Sequence, residues 1–298
     1  MAVYSISDLE KLCGVKAHTI RIWEQRYGII KPNRTETNIR YYRDADLNLL
    51  LNIVVLNKNG HKISHIAKMS KQEIVEKVSA ISEIDLDLDN QLDELTLAMV
   101  EMDEYKFDRI LNTNIQQRGF EQTMLQVVYP FLDKLSVFWL PGSINPVQEN
   151  FISNLIRQKL IAAIDKEPIN PKSKGAKFMI YLPEGENQEL SLLFLHFLLK
   201  SRGQQVVYLG QNIAMGDLYD ASSIHNPDYI FTMITESFAT RPVQKYVDEL
   251  SQSFSKSKIL LSGYQVITQN VKSEGNVSVL SSLEETINFL DDLKFLNK

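Results

Sequence analysis

Cations, amides and phenols gather in one stretch near the N-terminus. Lys16, His18, Thr19, Arg21 and Arg26 recur at spacings that place them around the exposed side of one helix. Arg34, Thr35, Asn38, Arg40, Tyr41 and Tyr42 follow in a stretch that reads as an extended ribbon. Guanidinium and ammonium groups neutralise phosphates, and a helix carrying them in a major groove also reaches base edges. The mixed ribbon suits a grip on sugar and phosphate. His18 is the weakest of these contacts, because exposed helical histidines are common. This is binding chemistry. No P-loop, G-x-G-x-x-G or H-E-x-x-H occurs, and five scattered histidines yield no Ser-His-Asp arrangement. No catalytic residue is assigned, and no enzyme activity is expected.

The charge pattern points the same way, though mildly. The formal net charge is -5. Residues 1–75 hold 12 Lys/Arg and 7 Asp/Glu, a net of +5, and the remainder holds 20 and 30, a net of -10. A basic head on an acidic body implies that only the head meets phosphate. Chance segregation of solvated charges would give the same count. The single cysteine, Cys13, excludes an intrachain disulfide and a thiolate zinc cluster, and no metal site is assigned. The most apolar run, Leu190 to Leu199, carries His196 and is too short to span a bilayer. The N-terminus lacks a signal-peptide layout. A cytoplasmic protein with no membrane partner is expected.

The elements that must hold these groups follow from capping signals and periodicity. Ser7 and Glu10 form an S-x-x-E capping box before Leu9, Leu12 and Cys13, and Gly14 makes a turn. A second helix spans Ala17 to Tyr27 and stops at Gly28. Two short helices across a tight turn have helix-turn-helix proportions. Asp44 is read as the cap of a third helix ending near Gly60, and a short helix follows from Ser64. Ser70 and Glu73 form a further box. Glu83 to Asp89 reads as an acidic linker. Helical periodicity from Gln91 to Asp165, punctuated by Pro130, Pro141 and Pro146, predicts a four-helix bundle. Residues 166–175 form a second linker. Beyond it, strands and helices alternate. That order predicts a doubly wound, parallel five-stranded sheet of flavodoxin-like type. The expected domains are therefore a winged helix-turn-helix at 1–75, a helical bundle at 76–165 and an α/β domain at 176–298.

Residues 3–69 resemble the N-terminal domain of the MerR family of transcription regulators. The resemblance rests on YSISDLEKLCGV, TIRIWEQRYGII-KP-R, IRYYRDADL and the G-x-x-I-x-x-I of Gly60, Ile63 and Ile66. It implies binding to double-stranded promoter DNA as a homodimer on inverted repeats. It also implies Thr19, Arg21 and the Arg40–Tyr42 segment as DNA contacts. Trp23 is read as a packing residue, and Tyr27 as either core or contact. Residues 70–120 lack a heptad run long enough for a coiled coil, so assembly into a homodimer or higher homo-oligomer falls to the bundle or the C-terminal domain.

Residues 90–298 resemble, more weakly, the bundle and cobalamin-binding pair of light- and cobalamin-responsive MerR regulators. FWLPGSINPVQENFISNLIR, LPEGENQEL and RGQQVVYLGQNI carry this likeness. The ligand positions depart from it. Where the family's Asp/Glu-x-His-x-x-Gly supplies the imidazole below cobalt, this chain has Glu186, Gln188 and Ser191. Its Ser-x-Leu appears as Thr232, Met233, Ile234, its Gly-Gly as Ser262, Gly263, and its bundle Glu-His as Glu149, Asn150. Trp139 is retained. A carboxamide is a poor cobalt ligand, so the expectation is a regulator that has lost cobalamin and carries no cofactor. The alternatives are a regulator that still binds cobalamin through the cofactor's own base, and a corrinoid carrier of a methyltransferase. Trp139, Glu149, Asn150, Glu186, Gln188, Ser191, Thr232 and Gly263 form the candidate effector pocket, for an unknown small molecule or protein partner. A filled structural interface is the competing reading, with Trp139 as plain bundle core. His196 and His225 are expected to be surface or capping residues.

Overall fold

Two left-handed glycines end the first two helices of the N-terminal head. The computed structural model describes residues 3–35, 38–79, 88–136, 145–168, 175–187, 189–236 and 242–296. Helix α1 (Ile6–Cys13) ends at Gly14 with φ 69°, and α2 (Ala17–Tyr27) ends at Gly28 with φ 63°. Each glycine N–H caps a carbonyl four residues back, in a conformation that costs a residue with Cβ about 1 kcal/mol or more. Helix α1 starts one box earlier than the Ser7–Glu10 reading. Ser5 Oγ accepts from Asp8 N at 3.2 Å, and Asp8 Oδ2 accepts from Ser5 N at 2.8 Å. The two patterns overlap in sequence. Glu10 faces α2 instead, accepting from Ala17 N at 3.0 Å and pairing with Lys16 at 3.1 Å. Asp44 is likewise a first helical residue and not a cap. In α3 (Asp44–Lys58), Asp46 Oδ2 accepts from Arg43 N, which makes Arg43 the cap. The Ser70–Glu73 box opens α5 (Lys71–Ser79) as expected, after the short α4 (Ile63–Ile66).

The ribbon is a hairpin of β2 (Asn33–Arg34) and β3 (Arg40–Arg43), with β1 (Val3–Tyr4) antiparallel on the other side of β3. The sequence reading had no β1. Two residues are too short to show a period, and only pairing to β3 defines them.

The bundle comprises α6 (Leu88–Glu101), α7 (Glu104–Arg118), a composite third helix and α10 (Pro146–Lys166). The third helix joins α8 (Phe120–Thr123), a π turn (Met124–Val128) and α9 (Tyr129–Ser136). Pro130 therefore does not break the helix. Proline lacks an N–H and crowds the carbonyl four residues back, and the wider π turn just before it absorbs that conflict. Helix α6 already covers Leu88 and Asp89, so the acidic linker is shorter than expected. Its residues 83–87, and Pro141, lie outside the described residues. From Asn90 to Val100, α6 is buried on every side.

The chain divides into two compact units, Met1–Leu155 and Ile156–Lys298. Helix α3 packs against α6, so the expected head and most of the bundle share the first unit.

The second unit alternates β4 (Lys177–Pro183), α11 (Glu189–Ser201), β5 (Gln205–Ile213), α12 (Met215–His225), β6 (Tyr229–Met233), α13 (Val243–Ser253), β7 (Lys258–Ser262), α14 (Tyr264–Thr268), β8 (Val277–Val279) and α15 (Leu283–Leu296). All strand pairs are parallel, in the order β5-β4-β6-β7-β8. This is the flavodoxin-like order, with its topological switch between β4 and β6. Strand β4 is buried from Phe178 to Pro183, as its unbroken apolar run requires. Met179, Tyr181, Ile230 and Leu261 pack with Leu218, Val243 and Leu250 into one core. Phe178, Ile180, Phe231 and Leu260, at the alternate positions, are buried too. No helix among the described residues is long and apolar enough to cross a membrane.

His196 is not the surface histidine expected. Its ring stacks on Tyr208 at 5.2 Å and 9°, and burial together with Lys200 pushes its pKa down to about 4. His225, at the end of α12, is exposed. Because the folded pKa of His196 lies below the ordinary value of 6.5, the unfolded chain binds its proton more tightly. The neutral ring's contribution is complete above pH 6.5 and fades as pH falls toward 4. His196→Phe, which keeps a ring on Tyr208, should therefore lose less thermal stability between pH 7 and pH 5 than the parent. Equal losses would contradict this.

Candidate DNA interface and sheet-edge site

Burial of Ile20 and Trp23 sets the rotation of α2, and so decides which side chains face out. Lys16, His18, Arg21 and Arg26 are exposed. Thr19 is half-buried, with its hydroxyl 3.3 Å from His18 Nε2. Arg26 lies 5.5 Å over the ring of Tyr27. Trp23 is a packing residue, as read. In the hairpin, Arg34 is exposed and donates to Asn38 Oδ1 at 2.6 Å across a turn in which Asn38 takes φ 65°. Arg40 and Tyr41 are half-buried.

Tyr42 departs from the expected contact set. Its ring is fully buried, and its hydroxyl donates to the carboxylate of Glu24. Burial and that carboxylate push its pKa up, which keeps the donor protonated. Alternation along β3 turns Tyr42 inward when Tyr41 and Arg43 face out. Glu24 also pairs with Arg40 Nε at 3.7 Å, with only 6% of its own side chain exposed. One carboxylate on the helix thus holds the wing strand twice. Sequence reasoning missed Glu24, yet a signal was there. It is the only carboxylate between Lys11 and Thr35.

Glu186, Thr232 and Gly263 lie at the carboxyl edge of the sheet, following or ending β4, β6 and β7. Glu186 is fully buried, and its Oε2 accepts from Thr235 N at 2.7 Å and Glu236 N at 2.9 Å. It fastens the loop after β4 to the loop after β6. Thr232 is fully buried opposite Tyr181. Gly263 has φ 109°, and a Cβ there would lie 2.4 Å from Ile234 O. Ile234 N donates to Ser262 O, and Ile234 O accepts from Gln265 N. Ser191 is half-buried in the first turn of α11. Nearby, Glu189 pairs with Arg157 at 2.8 Å and accepts from Tyr208. On α10, Glu149 is half-buried and Asn150 exposed. Trp139 and Gln188 lie outside the described residues. A cleft of about 540 Å³ does open beside the ends of β4 and β5, lined by Pro183, Glu184, Ile213, Met215, Lys245 and Tyr246 among others. Among the described residues, none of those expected in the pocket lines it. Among the described residues, no group of three or more His, Cys, Asp or Glu could hold a metal ion.

Comparison with known proteins accounts for the head. Residues 4–73 match the family described as MerR HTH family regulatory protein. Residues 4–73 are thus a MerR-type helix-turn-helix domain. Residues 91–163 match a second family, described as B12 binding domain. The chain is 26% identical over 255 residues to the HTH-type transcriptional repressor CarH of Myxococcus xanthus, covering 84% of this chain and 83% of that one. It is 21% identical over 268 residues to the repressor CarA of the same organism, covering 87% and 85%. It is also 34% identical over 76 residues to the HTH-type transcriptional regulator MlrA of Escherichia coli (strain K12), covering 26% and 31%. All the candidate DNA contacts fall inside the first matched segment, and Trp139, Glu149 and Asn150 inside the second.

Tyr42→Phe should destabilise the head by roughly 1.5–3 kcal/mol, the usual worth of a hydrogen bond to a charged group. Urea unfolding would measure it, with Tyr41→Phe as a control expected to stay near parental stability. A Tyr42→Phe variant as stable as the parent would show that Glu24 does not hold the wing.

Proposed function

We propose that this regulator grips promoter DNA as a homodimer through the exposed face of α2 and the β2–β3 wing, and that its α/β unit has given up cobalamin. Access to promoter DNA places it in the cytoplasm. Arg21 and Arg34 act as direct contacts, and Arg40 as a contact aimed by Glu24. The observation that carries the loss of cofactor is the sheet edge. Cobalamin held as the resembled family holds it would draw on a protein imidazole below the metal and on room for a nucleotide tail between the loops. The chain offers Gln188 at the donor position, and backbone at Ile234 fills the space against Gly263. Glu186 Oε2 accepts from two backbone amides of the neighbouring loop. These residues do not fit the group. The match of residues 91–163 to a B12 binding domain favours the second reading, a regulator that keeps cobalamin with the cofactor's own base as lower ligand. Catalysis as a corrinoid carrier finds no support in residues built into a DNA-binding head. A small effector, if one acts, has the cleft beside Tyr246 available.

Purified protein mixed with adenosylcobalamin in the dark should emerge colourless from desalting. A retained corrin spectrum would overturn the first reading in favour of the second. Separately, gel shifts with genomic fragments should show sequence-selective binding that weakens steeply with salt. Weak, sequence-blind binding would sink the proposed interface.

A further inference from the structure

Two adjacent carboxylates of α6 are buried in the first unit. Asp93 sits in the buried stretch of α6 with 2% of its side chain exposed. Its two oxygens are taken by two different elements. Lys58 Nζ, on the last residue of α3, donates to Oδ2 at 2.6 Å. Lys134 Nζ, in α9, donates to Oδ1 at 2.6 Å. The next residue, Glu94, is 4% exposed and pairs with Lys106 of α7 at 2.5 Å. Helix α6 is thus polar and buried over Asn90, Gln91, Asp93 and Glu94, and mainly apolar from Leu95 to Val100.

A buried carboxylate is a poor way to gain stability. Desolvation of the ions offsets much of their attraction, and well-packed apolar residues of similar volume do as well or better. What such a group does supply is register, because the pair is satisfied in one arrangement and unsatisfied in others. Here the arrangement joins a helix of the DNA-binding head to a helix of the B12-type bundle. Removing the carboxylate would leave two ammonium groups facing each other. We propose that Asp93 is a positioning residue, holding α3 and α9 on one carboxylate so that the attitude in which the head meets DNA is coupled to the state of the bundle. This rests on the DNA-binding role of the head and is independent of whether cobalamin binds.

The test uses the full chain and the duplex that the parent recovers from a random-sequence DNA pool. Lys134→Met lies outside the head, so a merely structural role predicts unchanged affinity and salt slope for the folded protein. The coupling predicts a change in affinity of at least threefold, with a shifted salt slope as the head engages a different number of phosphates. The same substitution made on a Lys58→Met, Asp93→Leu background should then have no further effect, because the shared carboxylate is gone. That triple variant should stay folded by thermal unfolding, as apolar replacement of buried ion triads allows. The proposal fails if Lys134→Met leaves operator binding unchanged in the parent. It fails equally if the effect is the same size in both backgrounds. Lys134→Met alone leaves Asp93 paired to Lys58, so a failure of the triple variant to fold leaves the first comparison decisive.

Discussion

Arg21→Ala is expected to weaken operator binding by roughly tenfold to a hundredfold, the worth of one good base contact of about 1–3 kcal/mol. Burial of Ile20 on one side and Trp23 on the other points Arg21 outward from α2. A guanidinium on a helix in the major groove reaches guanine edges with two parallel hydrogen bonds, which a lysine or alanine does not reproduce. The loss should therefore be larger on the selected operator than on scrambled duplex. Arg40→Ala should behave differently. Arg40 is half-buried against Glu24, so its removal would disturb the wing as well as the proposed phosphate contact. Binding should then weaken about equally on all sequences, with the salt slope reduced by about 1. Fluorescence anisotropy at several salt concentrations separates the two patterns. Unchanged affinity in both variants would reject the placement of the interface on α2 and β3.

Gly263→Ala is expected to destabilise the α/β unit by roughly 3 kcal/mol or more. A residue with Cβ at φ 109° leaves its allowed regions, at a cost of order 1–3 kcal/mol. The added carbon would also lie 2.4 Å from Ile234 O and 2.7 Å from Ile234 N and C. These are backbone atoms fixed by hydrogen bonds to Ser262 and Gln265, so they cannot turn aside as a side chain would. Gly216 is the control. It has open space around it inside α12, where alanine should raise helix stability by about 0.5–1 kcal/mol. Urea unfolding of the two variants gives the comparison. If Gly263→Ala stays near parental stability, the loop after β6 yields easily, and the sheet edge regains its standing as a binding crevice. The glycine that the sequence reading placed in the effector pocket is, in the fold, a site of close backbone packing.

Much of this protein was legible in its residue order. The two glycine-stopped helices, the ribbon after Pro32, the apolar β4 run and the strand–helix alternation behind it all depend on neighbours within a few residues. So does the segregation of positive charge into the head. Where two local patterns competed, the sequence alone chose wrongly. Ser7–Glu10 looked as good a box as Ser5–Asp8, and Pro130 looked like an end when a π turn carries the helix past it.

The site residues divide along the same line. The exposure of Arg21 was legible because it depends on which face of one helix the residue occupies. Tyr42, Glu24, Asp93 and Glu186 were misread or missed because their roles depend on partners far away in the chain. Tyr42 meets Glu24 across 18 residues, Lys134 meets Asp93 across 41, and Thr235 meets Glu186 across 49. Periodicity records which side of an element is apolar, and so it settles the elements and the sign of the surface. Desolvation of a particular carboxylate, and the donor that makes it tolerable, exist only once distant segments pack together. That packing decided that Glu24 aims the wing, and that Glu186 and Gly263 serve the sheet's own edge.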